Sequence, residues 1–448
     1  MNSIKRAGHL DPAYGNNGIA PVPARGLSPD VHTLQVFPAA AQPGFGMAFY
    51  GFNPDDPAKE NGLFTRVNQN GSWDSSTGHV PVTPLATPVP YWNHEYTTML
   101  HSPLDGEERF LTSSLIIYIC DNGDVSIHLA IGSYDKAFQP TKGFGENGIS
   151  LPPPYWPDQR RYSPASAVAP QTNKRLDARA VDYRGTQLGL SAGKVKAIFE
   201  GGFAGAQGSD KHTWCLQIDP ATGEPAPGLG ANGTESLLAL PLRNGLRIAP
   251  CRAAFLDDGS FLLLATAGDK AYLQRFKPNA TLDKSFAANT GFIELPYRSG
   301  RFGMAVRDNL VVISSAARLG ENAPTYLYGF TLSGKPVPDF TRIISLPLPG
   351  ALMLEHAQFD NQGRLVLAGR RVFKADHDPY LHSEMRVARL LSSGETDLGF
   401  GDAGFTPADP LLSAANGLYV DDDGISVLAV FPVSLTAPFY EVIARFQS

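Results

Sequence analysis

One short phrase recurs along this chain and limits its fold more than any other feature. In each copy, turn residues, often with an Asp and an aromatic residue, come before one or two glycines and an apolar residue. The copies lie at residues 10–19, 71–80, 143–149, 228–233, 282–292, 338–343 and 397–405. Most neighbouring copies lie roughly 60 to 85 residues apart, and self-similarity at such a period is typical of a repeat architecture.

A second recurring feature is a short turn rich in Asp, Asn and Gly between apolar stretches. These turns lie at residues 120–123, 182–185, 257–259, 307–309, 360–363 and 421–424. Asp, Asn and Gly adopt the positive φ that tight hairpins need, and the runs that follow are rich in β-forming residues. Each repeat of about 50–85 residues therefore predicts four antiparallel strands, and seven repeats predict an all-β, seven-bladed β-propeller.

The two ends of the chain together supply one more repeat. Residues 442–446 read as a third strand with no phrase after it, and residues 18–21 as a fourth strand with nothing before it. Pairing the two would cover two exposed sheet edges. We therefore predict that the N-terminal strand pairs with the C-terminal blade, which closes the ring and makes residues 1–448 a single domain.

The repeat resembles the bacterial delta-60 repeat, a β-propeller family. Residues 355–405 fit best, and residues 253–292 and 416–448 with 8–19 fit nearly as well. The resemblance covers essentially the whole chain and implies a propeller. It implies no catalytic residues, because the family has no shared catalytic motif to carry over.

Composition excludes several classes of protein. The 45 Gly and 37 Pro argue against a helical bundle, and a net charge of −6 offers no basic field for nucleic acid. No apolar run is long enough for a membrane span, and no secretory signal begins the sequence. We expect a cytoplasmic protein, with export by a route without a cleaved signal as the alternative. Cys120 and Cys215 read as buried strand residues, and three scattered cysteines make no disulfide framework.

Several motifs that could carry chemistry are better explained by turns. Residues 189–193 match G-x-S-x-G, but a strand-like run follows where a nucleophile elbow needs a helix. The Asp-rich turns lack the ligand spacing of a calcium loop, and Asp376, His377, Asp378 and His382 lack zinc spacing. No phosphate-binding glycine motif is present. We therefore expect no metal, no cofactor and no catalytic set.

The best candidate site lies on the loops that join one blade to the next. In a propeller these loops surround the mouth of the central channel, and here they concentrate Arg, Tyr and Trp. Residues 151–180 form the longest of them. The candidate ligand-binding residues are Trp92, His94, Tyr155, Trp156, Arg160, Arg161, Arg247, Arg298 and Arg301.

Three functions fit this pattern. The first is a non-catalytic recognition propeller, because aromatic faces suit sugars and protein anchors and Arg suits carboxylates. Its partner would be a protein or an anionic glycan. The second is a glycan hydrolase or lyase that uses carboxylates such as Glu95 and Asp158. The third is a structural spacer or assembly module. The same aromatic and Arg residues could instead be packing, with each Arg paired to a carboxylate.

Overall fold

The computed structural model describes most of the chain outside the longest loops. The described residues are 7–21, 32–38, 44–53, 56–68, 70–72, 80–81, 93–101, 109–119, 125–150, 186–205, 208–243, 245–295, 301–316, 323–346, 348–374, 381–409, 411–422, 424–431 and 440–448. Almost all of their regular structure is β-strand. In this part of the chain the short 3₁₀ helix Pro338–Phe340 is a rare helical element.

The strands follow one another with short connections in many places. In chain order they are β1 Ile19–Pro21, β2 His32–Pro38, β3 Gly44–Asn53, β4 Asp56–Asn68, β5 Val80–Pro81, β6 Asn93–His101, β7 Arg109–Ile119, β8 Val125–Asp135, β9 Ile149–Ser150, β10 Gln187–Ser191, β11 Lys194–Gly205, β12 Gly208–Ile218, β13 Leu237–Ala239, β14 Ala249–Phe255, β15 Phe261–Ala267, β16 Lys270–Phe276, β17 Phe292–Leu295, β18 Phe302–Arg307, β19 Leu310–Ala316, β20 Thr325–Thr331, β21 Arg342–Ile344, β22 Ala351–Phe359, β23 Leu365–Lys374, β24 Leu381–Leu390, β25 Ala414–Val420, β26 Ile425–Phe431 and β27 Tyr440–Phe446.

Strands adjacent in sequence pair with one another, as in the blades of a propeller. The sheet of β18 to β21 shows the pattern: each strand pairs antiparallel with the next, in the order of the chain. Asp308, with a φ of 50°, and Asn309 form the two-residue turn between β18 and β19. These sheets confirm the predicted class, an all-β, propeller-type fold of antiparallel sheets.

Within the described ranges the strands form six sheets rather than seven, so the predicted number of blades is not confirmed. Five sheets have three or four strands, and one has eight. The eight-stranded sheet exists because β8 pairs with β11, over Val125–Ile127 and Gly202–Ala204. This pairing joins β6 to β9 and β10 to β13 into one sheet, and the repeat spacing contains no sign of it.

The predicted pairing of the two chain ends is confirmed. In β1, Ile19 lies opposite Ala444 of β27 and Ala20 opposite Ile443, in an antiparallel register. The β1 strand thereby becomes the fourth strand of the sheet β25 to β27. Ala20 is only 1% exposed, so the pairing also completes the packing of that sheet.

The chain divides into two compact units, each with its own apolar core. The first comprises Met1–His79, Asp269–Leu273 and Lys284–Ser448, and the second Val80–Gly268 and Gln274–Asp283. In the first, alternate apolar side chains of β23, β24, β26 and β27 are buried together. In the second, β7, β8, β11 and β12 provide the corresponding residues.

The recurring phrase forms a tight loop. A backbone hydrogen bond joins this loop to the turn after the third strand of the following repeat. In the last copy, the Gly401 N–H donates to the carbonyl oxygen of Ala7 at 2.8 Å. The equivalent bond joins Gly15 to Asn70, Gly145 to Thr222, Gly230 to Asn279 and Ala287 to Ser333. The five donor residues all have positive φ. The phrase therefore recurs because each of these copies makes the same backbone connection.

Candidate functional site

The recurring charged residues of the repeat are part of the scaffold. Arg389 of β24 donates through Nε to Asp397 Oδ2 at 2.8 Å, and its guanidinium lies 4.5 Å from the centre of the Phe400 ring. Asp397 and Phe400 belong to the phrase that follows this strand. Their ion pair is almost buried, because 5% of the Arg389 side chain and 13% of the Asp397 side chain are exposed.

In two other repeats the corresponding arginine also pairs with Asp, but with the Asp of the turn before the second strand as well as, or instead of, that of the phrase. Arg445 of β27 donates to Asp421 at 3.0 Å and lies over the Tyr14 ring. Arg275 of β16 lies 3.2 Å from Asp258 and 3.6 Å from Asp283. The Asp residues that we interpreted as turn formers thus also neutralise a largely buried arginine. We did not predict this second role, although an Arg at the same place in several third strands is a visible signal for it.

Only two of the nine predicted site residues have side chains within the described part of the chain, namely Arg247 and Arg301. The backbone of His94 lies in β6, as does that of Glu95, but their side chains are outside the described residues. Outside them altogether lie Trp92, Tyr155, Trp156, Asp158, Arg160, Arg161, Arg298 and the loop of residues 151–180. Their ligand-binding role stays a prediction.

Arg301 pairs with a carboxylate on a neighbouring strand. It lies directly before β18, and its Nη1 donates to Glu355 Oε2 at 2.8 Å. The Arg301 side chain is 54% exposed, whereas that of Glu355 is only 12% exposed. Glu355 lies at a β-bulge of β22, between Leu354 and His356. A bulge re-aims side chains and is common beside functional sites.

A second arginine, which the sequence did not lead us to select, shares this carboxylate environment. Arg370 lies in the middle of β23, opposite Met353 of β22, and is half-buried. Burial, and then the positive charge of Arg301, lower its pKa, while Glu355 raises it. The Arg370 Nε is buried and has no hydrogen-bond partner among the described residues.

We call Arg301, Glu355 and Arg370 the arginine pair site. Arg370 thus lies in a partly buried place under the electrostatic influence of both Arg301 and Glu355. Arginine presents planar, paired donors that match a carboxylate or a sulfate. An anion bound beside these residues would reduce the repulsion between the two arginines.

Next to this site two more arginines share one carboxylate, and each of them also donates to a backbone carbonyl oxygen. Arg371 donates to Glu384 at 2.7 Å and to the carbonyl oxygen of Pro349 at 2.8 Å. Arg386 donates to Glu384 through Nε and to the carbonyl oxygen of Thr406 at 2.7 Å. Arg371 and Arg386 therefore hold neighbouring chain segments in place. The Nε of Arg371 donates to a carbonyl oxygen, whereas the Nε of Arg370 has no partner among the described residues.

In the second unit, Arg247 also pairs with a carboxylate. Its Nη1 lies 2.6 Å from Glu200 Oε1, and Glu200 belongs to β11. The structure thus pairs both described candidate arginines with glutamates, as the packing interpretation of the loops expects. An ion pair of this kind is compatible both with a packing role and with a ligand-binding role for these arginines. The choice between the two roles therefore depends on Arg370.

A visible signal for Arg370 was present in the sequence. Counted from the first residue of the second strand, the position of Arg370 is occupied in other repeats by Thr266, Ser315 and Val430. A charged residue at a position that is otherwise small or apolar departs from the repeat. A residue that departs from the repeat is not needed to build the repeated fold. We did not select Arg370 because we looked for a site only on the loops.

The motifs that we set aside behave as turns or buried residues. Residues 189–193 form the hairpin between β10 and β11, with Ala192 and Gly193 at positive φ, and no helix follows. Cys215 is fully buried, which raises the pKa of its thiol to about 12. Cys120 and the segment with Asp376 to Asp378 lie outside the described residues.

The described residues contain neither a metal-ligand cluster nor a membrane-spanning helix. No group of three His, Cys, Asp or Glu side chains among them lies close enough to hold a metal ion. In the same residues no helix has the length and apolar character needed to cross a membrane.

The chain resembles known proteins only through its fold. No family model matches it, and no curated protein is similar to it. Similar solved structures include puromycin hydrolase, which is 12% identical with a TM-score of 0.45 over 96% of this chain and 59% of that protein. Prolyl oligopeptidase B from Galerina marginata is 10% identical, with a TM-score of 0.45 over 95% of this chain and 51% of that protein.

A third similar structure is the NanB sialidase from Streptococcus pneumoniae. It is 9% identical, with a TM-score of 0.43 over 96% of this chain and 71% of the sialidase. This chain spans between half and three fifths of the length of the puromycin hydrolase and the oligopeptidase. At these identities and scores the similarities say nothing about the activity of this chain. The resemblance to the delta-60 repeat stays a prediction.

Proposed function

We propose that this protein is a non-catalytic recognition domain that binds an anionic ligand at the arginine pair site. One observation carries the proposal: Arg370 is half-buried beside a second arginine, and its buried Nε has no partner among the described residues. Burying a guanidinium costs free energy, part of which a carboxylate bound beside Arg370 would offset. Arg389 of the scaffold also keeps one buried nitrogen without a hydrogen bond, but it pairs with the carboxylate of Asp397.

The ligand would bind as an anion between the two guanidinium groups. Arg301 is exposed enough to meet a ligand, and Arg370 would add charge-assisted hydrogen bonds in a partly desolvated place. Glu355 holds Arg301 in position by their ion pair. The enzyme alternative rests on Glu95 and Asp158, whose side chains lie outside the described part, and no observation of the described residues favours it.

The test is a binding titration with two carboxylate-rich probes, oligogalacturonate and an acidic peptide, and with a neutral oligosaccharide as the negative probe. We expect at least one acidic probe to bind the wild-type protein. Arg370→Gln should weaken that binding by about tenfold or more, because a charge-assisted bond in a partly buried site is lost. Arg301→Gln should weaken it too, and added salt should reduce what remains.

A matched control removes a different positive charge from the same unit. Lys270 forms an exposed ion pair with Glu294 at 2.6 Å, with side chains 47% and 44% exposed. Lys270→Gln should leave the affinity for the acidic probe unchanged. The proposal is wrong if no acidic probe binds the wild type, or if Arg370→Gln and Lys270→Gln bind it equally well.

A further inference from the structure

A serine in β19 connects the backbone near Arg301 with the backbone near Glu355. Ser314 is fully buried, and its Oγ accepts a hydrogen bond from the Gly303 N–H at 3.1 Å. The same Oγ donates to the carbonyl oxygen of Leu354 at 2.8 Å. Gly303 lies two residues after Arg301, and Leu354 lies directly before Glu355 at the bulge of β22. One buried hydroxyl therefore bonds to the main chain close to each partner of this ion pair.

Gly303 leaves room for this hydroxyl. It lies opposite Ser314 in the pairing of β18 with β19. A Cβ built on Gly303 would lie 2.5 Å from Ser314 Oγ and 3.1 Å from the carbonyl oxygen of Glu355. A glycine in the interior of a strand often marks a place where another backbone approaches closely. Here the close approach is between β18 and the bulge of β22.

Ser314 departs from the repeat, as Arg370 does. Counted from the first residue of the second strand, the position of Ser314 is occupied in other repeats by Ala265, Gly369 and Ala429. None of these three residues has a hydroxyl group, so none can make the connection that Ser314 makes. The repeated fold therefore does not need this hydroxyl.

A second buried hydroxyl also bonds to Leu354, but it belongs to the scaffold. Thr325 Oγ1 accepts from the Leu354 N–H at 3.2 Å and donates to another carbonyl oxygen of β22 at 2.7 Å. In two other repeats, a third-strand hydroxyl also donates to a carbonyl oxygen directly before the next first strand, from Thr213 and from Ser383. The contact from the third strand thus recurs, whereas the contact of Ser314 is an addition at the bulge.

We infer that Ser314 and Gly303 are positioning residues of the arginine pair site. Their contacts hold the bulge of β22 against β18, so that the Glu355 side chain meets Arg301. A binding group is more effective when supporting contacts hold it in its binding geometry before the ligand arrives. This inference rests on the proposed function and adds two residues that act through other side chains.

The first test measures the affinity of the full chain for whichever acidic probe, oligogalacturonate or the acidic peptide, binds the wild type more tightly. We expect Ser314→Ala to weaken this binding about three- to tenfold, roughly the effect of one hydrogen bond. Gly303→Ala should do the same, because its Cβ would displace the hydroxyl. In the Arg301→Gln background, Ser314→Ala should have no further effect, because Ser314 acts through Arg301. Equal weakening in both backgrounds would show a general loss of stability and overturn the inference.

Ser150→Ala is the matched control in the second unit. Ser150 is 5% exposed, and its Oγ donates to the carbonyl oxygen of Gly223 at 2.5 Å. This variant also loses a buried hydroxyl that bonds to a carbonyl oxygen, but it should bind the probe as the wild type does. If Ser314→Ala binds as the wild type does while Arg370→Gln is weakened, the inference is overturned and the proposed function is intact.

The second test needs no ligand. In protein with isotope-labelled arginine, the NMR signal of the Arg301 Nε–H is assigned by its loss in Arg301→Gln. Ser314→Ala should move this signal toward its position in Glu355→Gln, because the ion pair loosens, and Ser150→Ala should leave it in place. An Arg301 signal that Ser314→Ala does not move overturns the inference. Failure of both acidic probes to bind the wild type contradicts the proposed function instead.

Discussion

Replacing Gly401 with alanine should strongly destabilise the protein, although Ala287 occupies the equivalent position in another copy of the phrase, where one more residue separates it from the closing glycine. Gly401 has a φ of 53°, and a Cβ there would overlap the carbonyl oxygen of Phe405. The same loop donates the hydrogen bond from Gly401 to Ala7. The conformational cost alone is about 1–2 kcal/mol, and the overlap forces the loop to shift. We expect a loss of about 3–4 kcal/mol in the free energy of unfolding, measured by chemical denaturation.

Gly143→Ala is the matched control, in another copy of the phrase. Gly143 also has a positive φ, 84°, but a Cβ built on it has no atom within 4 Å. It should cost only the conformational contribution, about 1 kcal/mol. Equal losses for Gly401→Ala and Gly143→Ala would show that the tight loop does not contribute as described.

Removing Asp397 should cause a loss of similar size through charge rather than shape. Asp397→Leu leaves the Arg389 guanidinium, whose side chain is 5% exposed, without its carboxylate. Leaving one charge of a buried pair unpartnered costs about 3–5 kcal/mol. We expect that reduction in the free energy of unfolding for Asp397→Leu, measured by urea denaturation at neutral pH.

The double variant shows whether this loss comes from the unpaired charge. Arg389→Leu with Asp397→Leu removes both charges and should recover much of the stability, because no buried charge of this pair remains without a partner. Losses that simply add in the double variant would contradict the ion pair between β24 and the phrase.

The strands could be predicted from the sequence because they depend on local rules. Tight turns such as Asp308 and Asn309 need particular residues, and the alternation of apolar residues places one face of each strand in the core. The pairing of β1 with β27 followed from the same reasoning, since both strands had an edge left to cover.

The features that were not predicted depend on contacts between distant segments. The pairing of β8 with β11 joins two predicted blades into one sheet, and no local pattern encodes it. In the sequence Arg370 and Arg371 are adjacent arginines of one strand, and nothing distinguishes the two. Only the structure distinguishes Arg371, with its carboxylate and carbonyl partners, from Arg370, whose Nε has none among the described residues.

The central claim is that Arg370 serves binding rather than stability. The direct measurement is the free energy of unfolding of Arg370→Leu beside Arg389→Leu, each with and without the acidic probe that binds the wild type. Burial lowers the pKa of both arginines, but the Nε of Arg389 donates to a carboxylate, whereas that of Arg370 has no partner among the described residues. We predict that Arg370→Leu without the probe is at least as stable as the wild type and gains no stability from the probe. We also predict that Arg389→Leu is clearly destabilised. A destabilisation of Arg370→Leu as large as that of Arg389→Leu would contradict the claim and make Arg370 a structural residue.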